Sequence, residues 1–168
     1  YRPETETQDK EYSWPWLAEE KDGKSYIYAS NRHGIQKTSF ATVYLDVHMQ
    51  KDQVFAFDYY TSIEHTDNGS DYLYFMKRDD TGYLQILEIF TGISEGWETY
   101  FGYVATEESD YTFVFLYVTD AANPTNSVVK DEVMLSNLRF TDVKDLEDSN
   151  AEREIMYQCA TQASVPTK

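Results

Sequence analysis

Two-residue alternation, repeated in short runs between turn-forming residues, limits this chain more than any other feature. FATVYLDVH (40–48) sets Val43, Leu45 and Val47 against Tyr44, Asp46 and His48. VFAFDYYT (54–61) gathers Phe55, Phe57 and Tyr59 on one side, and DYLYFMK (71–77) does the same with Leu73 and Phe75. Neighbouring side chains of an extended strand point to opposite faces, so each run predicts a half-buried strand. GKSYIYAS (23–30), YLQILEIFT (83–91), WETYFGYVA (97–105) and EVMLSNLRFT (132–141) read the same way. YTFVFLYVT (111–119) is apolar on both faces, which predicts a central strand covered on both sides. Asp67-Asn68-Gly69-Ser70 and Asp79-Asp80-Thr81-Gly82 supply the turns.

About eight strands at this spacing, with no alternation of strand and helix, predict an all-β antiparallel β-sandwich of jelly-roll type. Residues 1–10 are a polar lead-in and 11–143 the sandwich domain. Trp14-Pro15-Trp16-Leu17 is an apolar cluster that cannot be helical across its proline, and it is expected to close over a core edge. The end of the chain changes character. Ser149 and Glu152 fit a capping box, and Ile155, Met156, Cys159 and Ala160 fall at helical spacing. A short C-terminal helix is expected within 144–163, with 164–168 as a linker or tail.

Charge then removes function classes. Thirty Asp and Glu against 14 Lys and Arg give a net charge of −16, which repels phosphate backbones and excludes a nucleic-acid partner. Fifteen Tyr, nine Phe and three Trp supply enough apolar surface for a core, so the acidity does not mean disorder. A single Cys excludes an intrachain disulfide framework and a Cys-based zinc site. No apolar stretch is long enough to insert into a membrane. The opening YRPETETQDK carries no signal pattern, as expected of a mature protein or an excised module.

Catalysis has little support. His33, His48 and His65 sit in no nucleophile or metalloprotease motif and read as solvated surface residues. Asp58 and Glu88 lie within strands and are the acid pair a glycan-cleaving enzyme would use, but close acids are common at this composition. Calcium is the candidate cofactor. Glu64, Asp67, Asn68 and Asp71, with Ser70, concentrate oxygen ligands in one turn, where Gly69 allows a tight bend. The same residues are also ordinary turn formers.

The tyrosines carry the binding reading. With the Phe and Val sets facing the core, alternation sends Tyr44, Tyr60, Tyr72 and Tyr74 outward, and Asp58 with them. Trp97, Tyr100 and Tyr103 form a second candidate cluster. Aromatic rings stack on the apolar faces of sugars while phenols and carboxylates bond the hydroxyls. Tyrosine is also a favoured strand residue, so a purely structural role stands beside this one.

From Trp14 to about Val143 the order of features resembles bacterial extracellular jelly-roll modules related to MAM, cleaved-adhesin and carbohydrate-binding-module-like domains. The residues that carry it are Trp14–Trp16, Asp22-Gly23, Phe57-Asp58-Tyr59, Glu64–Asp71, Asp71–Phe75, Trp97, Tyr111–Tyr117 and Ser136–Phe140. Ser136 stands where the family usually has Asp, and the cysteines of eukaryotic MAM domains are missing. The resemblance implies a secreted or cell-surface, non-catalytic module. The expected function is carbohydrate binding or adhesion, with a glycan or cell-surface ligand as partner. The alternative is a structural spacer packing against adjacent domains of a larger enzyme or adhesin.

Overall fold

The computed structural model describes residues 2–3, 16–30, 39–63, 65–66, 69–119 and 130–145. The first sheet contains β1 (Arg2–Pro3), β4 (Ser39–Met49), β8 (Tyr72–Arg78), β9 (Leu84–Phe90) and β11 (Ser109–Thr119), in the order β1-β4-β11-β8-β9. The second contains β2 (Leu17–Lys21), β3 (Lys24–Ser30), β5 (Gln53–Ser62), β10 (Glu98–Val104) and β12 (Glu132–Asp142), in the order β10-β5-β12-β3-β2. A small ribbon pairs β6 (His65–Thr66) with β7 (Gly69–Ser70). All pairings are antiparallel. From β3 onward the major strands cross between sheets, except for the β8–β9 hairpin, and this is the jelly-roll path that alternation and turn spacing predict.

The core forms where the inward residues of the two sheets meet. Phe55 stacks on Phe113 at 4.6 Å between ring centroids, and Phe57 meets Phe75 and Phe115 edge-on, each at 5.1 Å. Trp16 is buried, and its indole nitrogen donates to the carbonyl of Ala41 at 2.9 Å. The expected apolar closure is therefore present at that residue; Trp14 and Pro15 lie outside the described residues. As 111–119 predicts, β11 is central in its sheet, with Phe113, Val114, Phe115 and Tyr117 all buried.

Four strands had no signal in the sequence: β1, which lies in the expected polar lead-in and pairs with β4 at Tyr44 and Val43, the short β6 and β7, and β2. Every residue of β2 is exposed, so LAEEK shows no alternation, and the strand forms because of its turn. Asp22 and Gly23 both take positive φ (54° and 79°), as a two-residue hairpin turn between β2 and β3 requires. The expected C-terminal helix lies, from residue 146 onward, outside the described residues; 143–145 form a short 3₁₀ turn.

Besides a shift between Phe75 and Met76 in the β8–β9 pairing, where Leu87 is the extra residue, two bulges alter the parity that simple alternation assumes. The pairing of β10 with β5 shifts between Phe101 and Tyr103, and Gly102 faces the core there. A Cβ on Gly102 would lie 2.7 Å from Phe75 Cε2 and 3.2 Å from Phe57 Cε1. Both rings are fully buried and have no room to retreat. Gly102→Ala is therefore expected to destabilise the fold by about 1–3 kcal/mol, read as a lower urea midpoint at unchanged slope. The second bulge lies between Ser136 and Arg139 of β12, with Asn137 at φ 50°. The extra residue turns Arg139 to the outer face, where unbroken alternation would send it inward.

Candidate functional site

The outer face of the second sheet brings aromatic and charged side chains together in register. Tyr60 on β5 and Tyr28 on β3 flank Met134 of β12 as its two cross-strand partners. One row along, Asp58 of β5, Ser136 of β12, Tyr26 of β3 and Glu19 of β2 follow one another across the sheet. Residues two apart share a face, so both rows point outward, away from the core positions Phe57, Tyr59, Ile27 and Leu135.

Trp97 completes the cluster from the loop that enters β10. Its ring centroid lies 6.1 Å from Tyr26 and 6.1 Å from Tyr60, with tilted planes at both. Tyr26 in turn lies 6.1 Å from Tyr28. These separations fall within the range of favourable aromatic pairs, so the rings brace one another. Trp97 still keeps 36% of its surface exposed. A cleft of about 510 Å³ opens here, and its lining adds Lys21, Lys24, Lys130, Glu19, Asp22 and Glu132 to the rings.

Asp58 anchors the edge of this face. Its carboxylate accepts hydrogen bonds from Thr99 Oγ1 at 2.8 Å, Arg139 Nη1 at 3.2 Å and Asn137 Nδ2 at 3.4 Å, and Lys24 Nζ stands 3.8 Å away. Burial disfavours its charge, but the bonds from Thr99 and Arg139, the charge of Arg139 and the bond from Asn137 outweigh it, so the carboxyl titrates below its ordinary range. A depressed carboxylate pKa adds stability above the unfolded value of about 3.9 and loses it as pH falls through the folded value. Asp58→Asn is thus expected to be less stable than the parent at neutral pH. The difference should shrink as pH falls below about 4, measured by urea unfolding at a series of pH values. A constant difference across that range contradicts the assignment.

The structure divides the sequence-predicted ligand residues among three places. Asp58, Tyr60 and Trp97 share the outer face of the second sheet. Tyr44, Tyr72 and Tyr74 face outward from the first sheet, on the far side of the sandwich, where Arg78 lies over Tyr44 at 5.0 Å and Tyr72 stands 5.9 Å from Tyr74. Tyr100 is buried, and its hydroxyl donates to Glu88 Oε2 at 3.0 Å. Tyr103 likewise turns inward against Phe113. The expectation of one outward tyrosine set is therefore corrected. Alternation reports inside against outside, but the two sheets have separate outsides.

Tyr26, Tyr28 and the three lysines were not among the predicted ligand residues. KSYIYAS does place both tyrosines opposite Ile27 and Ala29, so the alternation signal existed. What lacked a signal was the position of β3 beside β12, two strands from β5.

Asp58 and Glu88 do not face each other as an acid pair. Asp58 looks out from the second sheet, while Glu88 sits on the edge strand β9 of the first and meets Tyr100 from the core side. His48 is exposed, with Nδ1 2.8 Å from Asp110 Oδ1. Of the calcium candidates, Glu64, Asp67 and Asn68 lie outside the described residues. Asp71 is buried near Tyr117, whose hydroxyl is pushed far above its usual range by burial first and then by the charges of Asp131 and Asp71. Among the described residues no three His, Cys, Asp or Glu side chains are grouped to hold a metal, and no helix is long and apolar enough to cross a membrane.

No family model matches the chain, and no curated protein matches it. Among solved structures it is similar to the carbohydrate-binding module TmCBM61 in complex with β-1,4-galactotriose, at 7% identity and a TM-score of 0.42, covering 76% of this chain and 88% of that one. It is also similar to CBM28, a carbohydrate-binding module specific for non-crystalline cellulose, at 13% identity and a TM-score of 0.39, covering 74% of this chain and 79% of that one.

Proposed function

We propose that this protein is a non-catalytic carbohydrate-binding module of a secreted or cell-surface protein, and that the outer face of its second sheet is the binding surface. The observation that carries this reading is Trp97, raised at the rim of a cleft and braced by Tyr26 and Tyr60 from two different strands. A sugar ring has C–H faces that stack on aromatic rings and a rim of hydroxyls that need both donors and acceptors. The cleft offers the rings beside phenols, ammonium groups and carboxylates, which is both halves of that requirement. Most of these groups stand on paired strands, so little conformational entropy is lost on binding.

The test is retention on a panel of plant, bacterial and animal polysaccharides, comparing the parent protein with Trp97→Ala. Retention of the parent by some members and its loss in the variant support the reading; no retention on any member refutes it.

A second reading, a spacer that packs against neighbouring domains, draws on the other side of the molecule. Leu84, Ile86 and Ile89 of β9, with Ile93 just beyond, are exposed large apolar residues along one edge of the first sheet. Trp97→Ala leaves that edge untouched, so a packing role would survive the substitution.

A further inference from the structure

We propose that the cleft takes an acidic glycan, one that carries uronic-acid carboxylates. This inference rests on the carbohydrate reading above and adds to it the charge of the ligand. In a chain with 30 acidic and 14 basic residues, the cleft gathers Lys21, Lys24 and Lys130, from the end of β2, the start of β3 and the residue two before β12. Two of them flank one hairpin turn and the third precedes β12, so they meet where β3 and β12 pair; in the lining they equal the acids Glu19, Asp22 and Glu132 in number, against 14 basic and 30 acidic residues in the chain.

Their setting favours an incoming anion. Lys21 and Lys24 are direct cross-strand partners on either side of the Asp22-Gly23 turn. Like charges directly opposite one another destabilise a strand pair, and a bound carboxylate removes that cost. Among the described residues, neither Lys21 nor Lys130 forms an ion pair. Lys24 Nζ is held 4.5 Å over the centroid of the Trp97 ring and 3.8 Å from Asp58, so one cation covers one face of that ring and a sugar would stack on the other.

The lining also holds three acids: Glu19, which accepts the Tyr26 hydroxyl at 3.0 Å, Asp22 in the turn, and Glu132, which is 2% exposed. Attraction of an anion therefore rests on the individual reach of Lys21 and Lys130 and not on a net positive cleft.

A uronate ring keeps the C–H face of a neutral hexose and adds a carboxylate at its rim. With such a ring on the other face of Trp97, Lys21 and Lys130 answer its carboxylate and further acidic units along the glycan. The net charge of −16 opposes a polyanion at long range. Screening over about 8 Å at physiological salt confines that repulsion and leaves the contact pairs to decide. A charge-assisted hydrogen bond there is stronger than one between neutral groups.

The experiment measures retention on immobilised polygalacturonate, alginate and glucuronoxylan, each beside its carboxyl-reduced form, with poly-L-glutamate as a polyanion that has no sugar ring. The expected result is retention by at least one acidic polysaccharide, weakened about tenfold or more on carboxyl reduction. The same weakening is expected in the Lys21→Gln, Lys130→Gln double variant, whose fold is checked by near-ultraviolet circular dichroism. Equal retention on the reduced forms, with the lysine variant unaffected, overturns the acidic ligand and leaves carbohydrate binding standing. Equal retention on poly-L-glutamate overturns it as well, because attraction then depends on charge alone. Retention on no polysaccharide, acidic or neutral, overturns both readings.

Discussion

Phe57→Ala is expected to lower the stability of the protein by about 3–5 kcal/mol, a large share of the roughly 5–15 kcal/mol typical of a folded domain. Phe57 is fully buried in the middle of β5 and lies within ring-contact range of Phe55, Tyr59, Phe75, Phe90, Tyr100 and Phe115. These residues belong to both sheets, so the substitution opens a cavity at the seam of the sandwich. The surrounding rings cannot collapse into it, because each is fixed by its own strand register. Tyr44→Ala is the comparison. Tyr44 is only half-buried on the outer face of the first sheet, and its removal should cost well under half as much, about 1 kcal/mol. Urea unfolding of the two variants checks the pair. Equal losses would contradict the placement of the core.

Trp97→Ala is expected to weaken glycan binding by at least about thirtyfold, or about 2 kcal/mol, while leaving the fold intact. Both parts follow from position. Trp97 is in the loop before β10 rather than in the sheet, and its packing is against outer-face side chains, Tyr26, Tyr60 and Lys24, and not against the core. It is nevertheless the largest ring in the cleft and the one that joins Tyr26 to Tyr60. Tyr72→Ala and Tyr74→Ala, on the other side of the sandwich, should leave affinity within about twofold of the parent. If either outweighs Trp97→Ala, the binding surface belongs to the first sheet instead. Polysaccharide gel-shift measurements on the three variants settle the comparison.

Most strands could be read from the residues because each is half-buried: alternation in 40–48, 54–61 and 71–77 follows directly from one wet face and one dry face. The exposed β2 has no such contrast, and its place depends on the backbone of Asp22 and Gly23. The site was less legible for a different reason. Alternation shows that Tyr44 and Tyr60 both point outward, but not that β4 and β5 join different sheets. Parity also fails locally. The shift at Gly102 comes just after Tyr100 and restores Tyr103 to the core side, and the extra residue after Ser136 carries Arg139 out to Asp58. Neither bulge has a periodic signature, since each adds a single extra residue to one strand. Lys21 and Lys24 flank the Asp22-Gly23 turn in the sequence, but Lys130 joins them only once β12 lies beside β3.

A sugar ring seated against Trp97 is tested by indole fluorescence during titration with a retained oligosaccharide. Trp16, buried in the core, and Trp14 are common to parent and variant, so the contribution of Trp97 is read as the difference between the two. The predicted result is a saturable change in emission in the parent protein at the concentrations that retain it on the polysaccharide, absent in Trp97→Ala. Saturable binding with no change in emission, or the same change persisting in Trp97→Ala, would contradict it.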